Sequence, residues 1–360
     1  MIKIASPSIG RNEIKAVIEV LKSGMLAQSQ KVKEFEEKVA EYVGVKYAIA
    51  TSSGTAALHT ALLAVGIKPG DEVITTPFTF VATANSILYC NAKPVFVDVD
   101  EKTFNIDPEK IEEKITERTK AILPVHLYGQ PADMEKILKI CESHNLLLIE
   151  DAAQALGAEF NNKKVGSFGI CGIFSFYPTK NITTGEGGMI VTNDENVAER
   201  CRRIRNHGEY QRYFVDSLGY NYRMTEIAAA IGLVQFKKLE KFNRKRIRNA
   251  KFLTKNLKDI DEIEVPFVDK RVKHVFHQYT IKTPRRDELK QFLEKKEIQV
   301  IVYYPLPIHK QKFYQELGYS DSLPIAEELA GKVLSLPVHQ NLKKDDLKFI
   351  VESIKEFFKS

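Results

Sequence analysis

Asp151 follows an apolar run, Leu146 to Ile149, as the second member of the acidic pair in IEDAAQALGA. Lys180 closes FSFYPTK just ahead of the glycine-rich turn GEGG. A lysine amine can hold an aldehyde as a Schiff base. A carboxylate at the end of a buried strand can keep a ring nitrogen protonated, so that the ring accepts electrons. Together these two groups are what pyridoxal phosphate chemistry needs. Neither carries the reading alone, because a chain with 53 lysines and arginines has many that are ordinary solvated charges.

The segment TSSGTAAL, from Thr51, adds a third part. Ser53, Gly54 and Thr55 would open a helix, whose positive end presents backbone N–H groups to a phosphate. A lone Ser-Gly-Thr is equally a plain helix cap; the phosphate reading comes from its standing in order with Asp151 and Lys180. Gly185, Gly187 and Gly188 would let the backbone pass close to a bound group.

These residues need a scaffold that brings them to one edge. From Tyr47 onward short apolar runs alternate with helical segments: YAIAT and a helix from Gly54, EVITT and a helix from Val81, PVFVDV, AILPVHL and a helix from Met134, then LLLIED. GIFSFYP and GGMIVTN add two strands around Lys180. Such alternation predicts an α/β fold with a mainly parallel sheet, covered by helices on both faces and binding ligands at the carboxyl ends of its strands. Two amphipathic helices, Arg11–Ser23 and Val32–Val43, precede it. After Asn221 a helix capped by Thr225 runs into a charged extension. The expected division is a large domain over 1–246 and a smaller α+β domain over 247–360, with strands near HQYTIKT and IQVIVYY and helices near Arg286 and Asp346.

Composition narrows the function classes. With 44% hydrophobic and 28% charged residues the chain reads as an ordinary globular protein. Its net charge of +6 comes from 53 basic and 47 acidic residues that are interspersed, and no basic stripe with exposed aromatics suggests nucleic-acid binding. Cys90, Cys141, Cys171 and Cys201 form no CxxC pair, so no metal site is expected and a reducing, cytoplasmic location is. No run approaches a membrane span or a signal-peptide core. No GxGxxG follows the first strand, which disfavours a dinucleotide-binding dehydrogenase.

The segments around Thr51, Asp151 and Lys180, with GYNYRMTEIAAAIGLVQ around Asn221, together resemble the DegT/DnrJ/EryC1/StrS family of sugar aminotransferases. That resemblance implies fold type I, with a large pyridoxal-phosphate-binding domain built on a seven-stranded-type sheet. It implies that Gly54, Thr55 and Ser175 hold the cofactor phosphate, that Phe80 stacks on the pyridine face, and that Gln154 touches the ring hydroxyl. Phe80 could also be one of the chain's 20 phenylalanines serving the core. By the same likeness Lys180 first holds the cofactor and then moves the proton between substrate and cofactor. Relatives that dehydrate sugars carry histidine there, so lysine favours transamination.

Asn221 matches a residue that reaches the phosphate of the neighbouring subunit, which implies a homodimer with shared active sites, and Arg223 is a candidate for the same region. His126, Tyr304 and His309 lie in VHLYGQ and VYYPLPIHKQ, which resemble substrate-side loops; they read equally as satisfied histidines and a core tyrosine. The activity implied is transfer of an amino group from glutamate to a keto-sugar linked to a nucleotide, in amino-sugar and polysaccharide biosynthesis. Alternatives are amination of a keto-cyclitol without a nucleotide, or a regulatory member of the fold that does no chemistry.

Overall fold

The computed structural model describes residues 1–359. In chain order its first elements are α1 (Arg11–Ser23), α2 (Gln30–Val43), β1 (Tyr47–Thr51), α3 (Gly54–Ala64), β2 (Glu72–Thr75), α4 (Ala82–Tyr89), β3 (Lys93–Phe96), β4 (Thr119–Leu123), α5 (Met134–His144) and β5 (Leu147–Asp151). A short hairpin of β6 (Glu159–Phe160) and β7 (Lys163–Lys164) leads to β8 (Cys171–Ser175), β9 (Gly188–Thr192), α6 (Glu195–Ile204), α7 (Glu226–Phe236) and α8 (Leu239–Leu257).

Seven of these strands make one sheet in the order β1-β9-β8-β5-β4-β2-β3. The pairs β3–β2, β2–β4, β4–β5 and β5–β8 are parallel, whereas β9 runs antiparallel to both β8 and β1. The fold is thus the expected α/β one, with the exception to parallel order at the strand that follows Lys180. Side chains along a strand point to opposite faces in turn, and both faces here are apolar. Ile49, Ile149, Ile173 and Ile190 pack with Leu58 and Leu62 of α3 and with Ala198 of α6. Ala48, Ala50, Phe174, Met189 and Val191 pack with Phe35 and Val39 of α2 and Leu233 of α7.

The helix expected from Val32 begins at Gln30. The reason is a cap from far along the chain: Glu226, buried at the start of α7, accepts from the N–H groups of Ser29, Lys31 and Val32 at 2.8, 2.8 and 2.9 Å. A helix N-terminus leaves such donors unpaired, and a carboxylate there also suits the helix dipole.

The C-terminal part has its own core, formed by Leu253 and Leu257 of α8 with Leu289, Leu293, Ile350 and Ile354. Its strand Tyr279–Lys282 pairs antiparallel with Val333–Leu336. The strand expected in IQVIVYY does not form a ladder; Ile298 and Ile301 make single bridges, to Ile2 and Ser335. Its alternating apolar residues are buried, Ile298 and Val300 in this core, so the pattern there reports burial rather than sheet pairing. α8 crosses residue 246 without a break, and Arg246 at that point is buried, donating Nη1 to the carbonyls of Phe276 and His277 at 3.2 Å each. The first residues, expected with the large domain, join the C-terminal part instead: Ile2 N donates to Glu297 O at 2.7 Å and Gln340 Nε2 to Ser6 O at 3.2 Å. No described helix is long and apolar enough to cross a membrane.

Candidate active site

The carboxyl ends of the central strands open on a cavity of about 620 Å³, into which the loop residues of both parts of the chain project. β5 ends at Asp151, and the strand's own pairing fixes that residue: Asp151 N donates to Pro124 O at 2.9 Å and its carbonyl accepts from His126 N at 3.0 Å. Lys180 follows β8 in a turn closed by its N–H on Tyr177 O at 2.9 Å. α3 starts at the rim, where Ser53 caps it by accepting from Ala56 N at 3.1 Å, and Ser52, Gly54 and Thr55 complete that wall. A side chain at position 54 has no room, since a Cβ there would lie 2.9 Å from Cβ of Ser175. Gly188 is equally constrained, its missing Cβ lying 2.3 Å from Ser53 O.

Asp151 is 3% exposed, and burial pushes its carboxyl above the ordinary range; a hydrogen bond from Thr83 Oγ1 to Oδ2 at 2.7 Å, one from Ala153 N to Oδ1 at 3.1 Å and the charge of Lys180 oppose that rise. Burial acts the other way on the amine, bringing Lys180 down to about 8, with Asp151 partly countering it. The pair therefore supplies an amine of lowered basicity and a carboxylate that lacks a fixed cation.

Gln154 is fully engaged: Oε1 accepts from Tyr128 N at 2.9 Å, and Nε2 donates to the hydroxyl of Tyr304 at 3.2 Å. Tyr304 forms part of the wall, with Tyr303 beside it, whose carbonyl accepts from the Tyr128 hydroxyl. Phe80 is 57% exposed at the mouth, so it is not a core phenylalanine, and Tyr177 stands exposed on the same rim.

Sequence reading missed several wall residues. Thr83 stands in the first turn of α4 and reads as an ordinary helical threonine. Thr79, Glu186 and Gln278 also line the cavity, as does His277, a buried imidazole whose Nδ1 has no hydrogen-bond partner among the described residues and which burial keeps neutral. A lone histidine in HQYTIKT carries no local signal; only the fold turns it toward Lys180.

Four expected residues do not reach this cavity within the chain. His126 is wholly buried; Nδ1 accepts from Ala132 N at 3.0 Å and Nε2 faces Glu150 at 3.1 Å, so it is a satisfied histidine inside the fold. Glu150 in turn accepts from Gly166 N, Phe168 N and Gly169 N at 2.7, 2.6 and 3.0 Å, holding the turn before β8. His126→Phe should therefore cost stability, about 1–3 kcal/mol for the unpaired partners, while leaving substrate KM unchanged; denaturant melts and steady-state kinetics check both. His309 is also buried, facing Glu327 at 3.1 Å rather than the cavity. Arg223 donates to Asn206 in a separate surface pocket. Asn221 is exposed, its backbone bridged to Asn206, near where Ser52 N bonds Tyr222 O at 2.7 Å.

The residues present fit pyridoxal phosphate. They offer a helix N-terminus with a small-residue cradle for a phosphate, a lysine of lowered basicity, a buried carboxylate free to take a cationic ring nitrogen, and an aromatic ring at the mouth. No group of three or more metal-ligating side chains occurs among the described residues. Fold and cavity together define a pyridoxal-phosphate enzyme of fold type I, an aminotransferase by its relatives.

The chain belongs to the DegT/DnrJ/EryC1/StrS aminotransferase family, whose model matches residues 7–355. It is 49% identical to the pleiotropic regulatory protein of Geobacillus stearothermophilus over 353 residues, 96% of this chain and 95% of that one. It is 42% identical to the GDP-perosamine synthase of Caulobacter vibrioides, with 98% and 97% of the two chains covered. The structure of NtdA from Bacillus subtilis with bound cofactor PMP superposes with a TM-score of 0.90 at 33% identity, covering 98% of this chain and 83% of NtdA.

Proposed function

We propose that this protein transfers an amino group from glutamate to a ketone on a nucleotide-linked sugar. The observation that carries the reading is the single cavity that holds both Asp151 and Lys180 beneath an aromatic rim. The similarity to a GDP-perosamine synthase supports the nucleotide-linked acceptor. The similarity to a protein described as a pleiotropic regulator supports a regulatory reading, against which stands the intact Asp151–Lys180 pair in its own cavity.

Bound pyridoxal phosphate supplies an aldehyde and an electron-accepting ring. The chain's residues do the rest. Ser53, Gly54, Thr55 and Ser175 bind the phosphate at the positive end of α3, where backbone donors are already aligned. Asp151 holds the proton on the ring nitrogen, and Phe80 covers one ring face and keeps water from it. Lys180 would hold the aldehyde through Nζ, and its amine is placed to take the proton from the substrate carbon and to return it on the cofactor side. Gln154 and Tyr304, locked together, form the wall beside the ring. The open rim at Phe80 and Tyr177 leaves room for an acceptor larger than an amino acid.

The test is to load the enzyme with nitrogen from isotope-labelled glutamate and offer a panel of nucleotide keto-sugars and a nucleotide-free keto-cyclitol, weighing the products. Label in a nucleotide amino-sugar is the expected result. Label only in the cyclitol would replace the acceptor class, and no transfer to any ketone would favour regulation.

The site is shared between two chains in this reading. Asn221 is exposed outside its own cavity, and Ile14, Ile18 and Leu21 on α1 leave an apolar face uncovered. A symmetric dimer would cover such a face and bring Asn221 to the partner's phosphate site. Mixing Lys180→Ala chains with Asn221→Ala chains should then give heterodimers with one doubly damaged and one intact site, at about half the wild-type activity per dimer by the symmetry count. Verified heterodimers without recovery would show that Asn221 serves its own chain.

A further inference from the structure

Asp151 has a chemical difficulty that the proposed reading of the site leaves open. It is buried, and its carboxylate makes no ion pair within the chain among the described residues. The charged or titratable groups around it come from three places: His126 after β4, Lys180 after β8, and Tyr304 in the segment that closes the cavity. Each is committed. His126 is occupied by Ala132 N and Glu150. The Tyr304 hydroxyl takes the Gln154 amide. Lys180 must leave its place during the reaction. What remains are two uncharged donors, Ala153 N on Oδ1 and Thr83 Oγ1 on Oδ2. The first is a local turn bond, available to any residue at 153 except proline. The second comes from another element, α4, and depends on the side chain.

Thr83 is almost wholly buried, and so is Thr79, whose hydroxyl lies 3.3 Å from that of Thr83. A hydroxyl has one proton to give, and an ionised carboxylate has none. Thr83 therefore donates to Asp151, which leaves its oxygen to accept from Thr79. The direction of the chain, Thr79 to Thr83 to Asp151, is fixed by the charge at its end.

We propose that Thr83 is a positioning residue for the reaction, one that orients Asp151 as a carboxylate toward the cofactor's ring nitrogen, with Thr79 behind it as the donor that polarises its hydroxyl. This rests on the reading of Asp151 as the ring-nitrogen partner. A cation in place of Thr83 would neutralise the carboxylate and compete with the ring for it. A hydroxyl stabilises the charge without cancelling it.

The test uses the holoenzyme with Thr83→Val, Thr83→Ser and Thr79→Val. Loss of a donor raises the proton affinity of Asp151, so the pH titration of the bound cofactor's absorbance and the acid limb of kcat should both move to higher pH in Thr83→Val. Its kcat should fall about ten- to hundredfold, the range for a hydrogen bond to a charged group, with KM for both substrates nearly unchanged. Thr83→Ser should restore spectrum and rate, and Thr79→Val should shift the titration in the same direction by less. An unmoved titration in Thr83→Val, or a serine variant as impaired as the valine one, would overturn the inference. Should Thr83→Val fail to fold, an unmoved titration in Thr79→Val together with a displaced one in Thr83→Ser overturns it as well. Wild-type turnover in Asp151→Asn would instead remove the reading on which it rests, so the two failures are distinguishable.

Discussion

Lys180→Ala is expected to fold, to bind pyridoxal phosphate without the covalent link, and to lose the yellow absorbance together with all measurable transamination. The loss of the base alone should lower the rate by roughly a thousandfold, and loss of the Schiff-base partner adds to that. Borohydride reduction of the wild type followed by peptide mapping should find the cofactor on Lys180; recovery on any other lysine would defeat the assignment. A second effect follows from burial and has a definite sign. In the cofactor-free protein Lys180 titrates near 8, below its ordinary 10.5. Between those two values the unfolded chain binds the extra proton and the folded chain does not, so this residue makes stability rise with pH across that window. Below the window the folded protein carries the charged ammonium in its half-buried place at full cost. Lys180→Ala should flatten that dependence, and denaturant melts of the two cofactor-free proteins from pH 7 to 11 would show it. Parallel curves would mean that the lysine is solvated rather than held in the wall.

The sheet was legible because its strands are buried on both faces and so appear as unbroken apolar runs between helices. That Ser53, Gly54, Asp151 and Lys180 share one cavity was legible for a related reason: they sit at strand ends, where spacing along the chain reports position on the sheet. What could not be read are interactions made by residues distant in sequence. Glu226 caps α2 from α7 and moves its start by two residues. Thr83 meets Asp151 from another helix, and His277 reaches the cavity from the C-terminal part. His126 and His309 show the converse. Their motifs marked them, yet each faces a carboxylate inside the fold, and the burial that makes a histidine look functional also suits it to a structural pair. IQVIVYY misled for a similar reason, since any extended segment with one buried face alternates apolar residues, whether or not it pairs in a sheet. The line at residue 246 lay on a change in charge pattern along α8, while the backbone continues through it and Arg246 there is buried.

Asp151→Asn should keep the fold and the cofactor, with weaker binding, and lose most of the turnover. The asparagine is close in shape: its carbonyl oxygen can still accept from Ala153 N, while its NH2 takes the place of the oxygen that faces Thr83 and can only donate to that hydroxyl, so one local bond is kept and the other reversed. What it lacks is charge. A neutral amide does not hold a proton on the ring nitrogen, and the electrons released when the substrate carbon loses its proton then have no sink. The expected rise in barrier is about 3 kcal/mol or more, comparable to removal of a key electrostatic group elsewhere. Both half-reactions should suffer alike, because each passes through the same loss or gain of that proton, whereas a residue that only recognises the sugar would affect one. Single-turnover rates with glutamate and with the keto-sugar, measured separately, give the comparison. The bound cofactor's absorbance should also report a ring nitrogen that is no longer protonated near neutral pH. Near-normal rates in both halves would mean that Asp151 does not face the ring nitrogen, and an effect confined to the sugar half would make it a recognition residue instead.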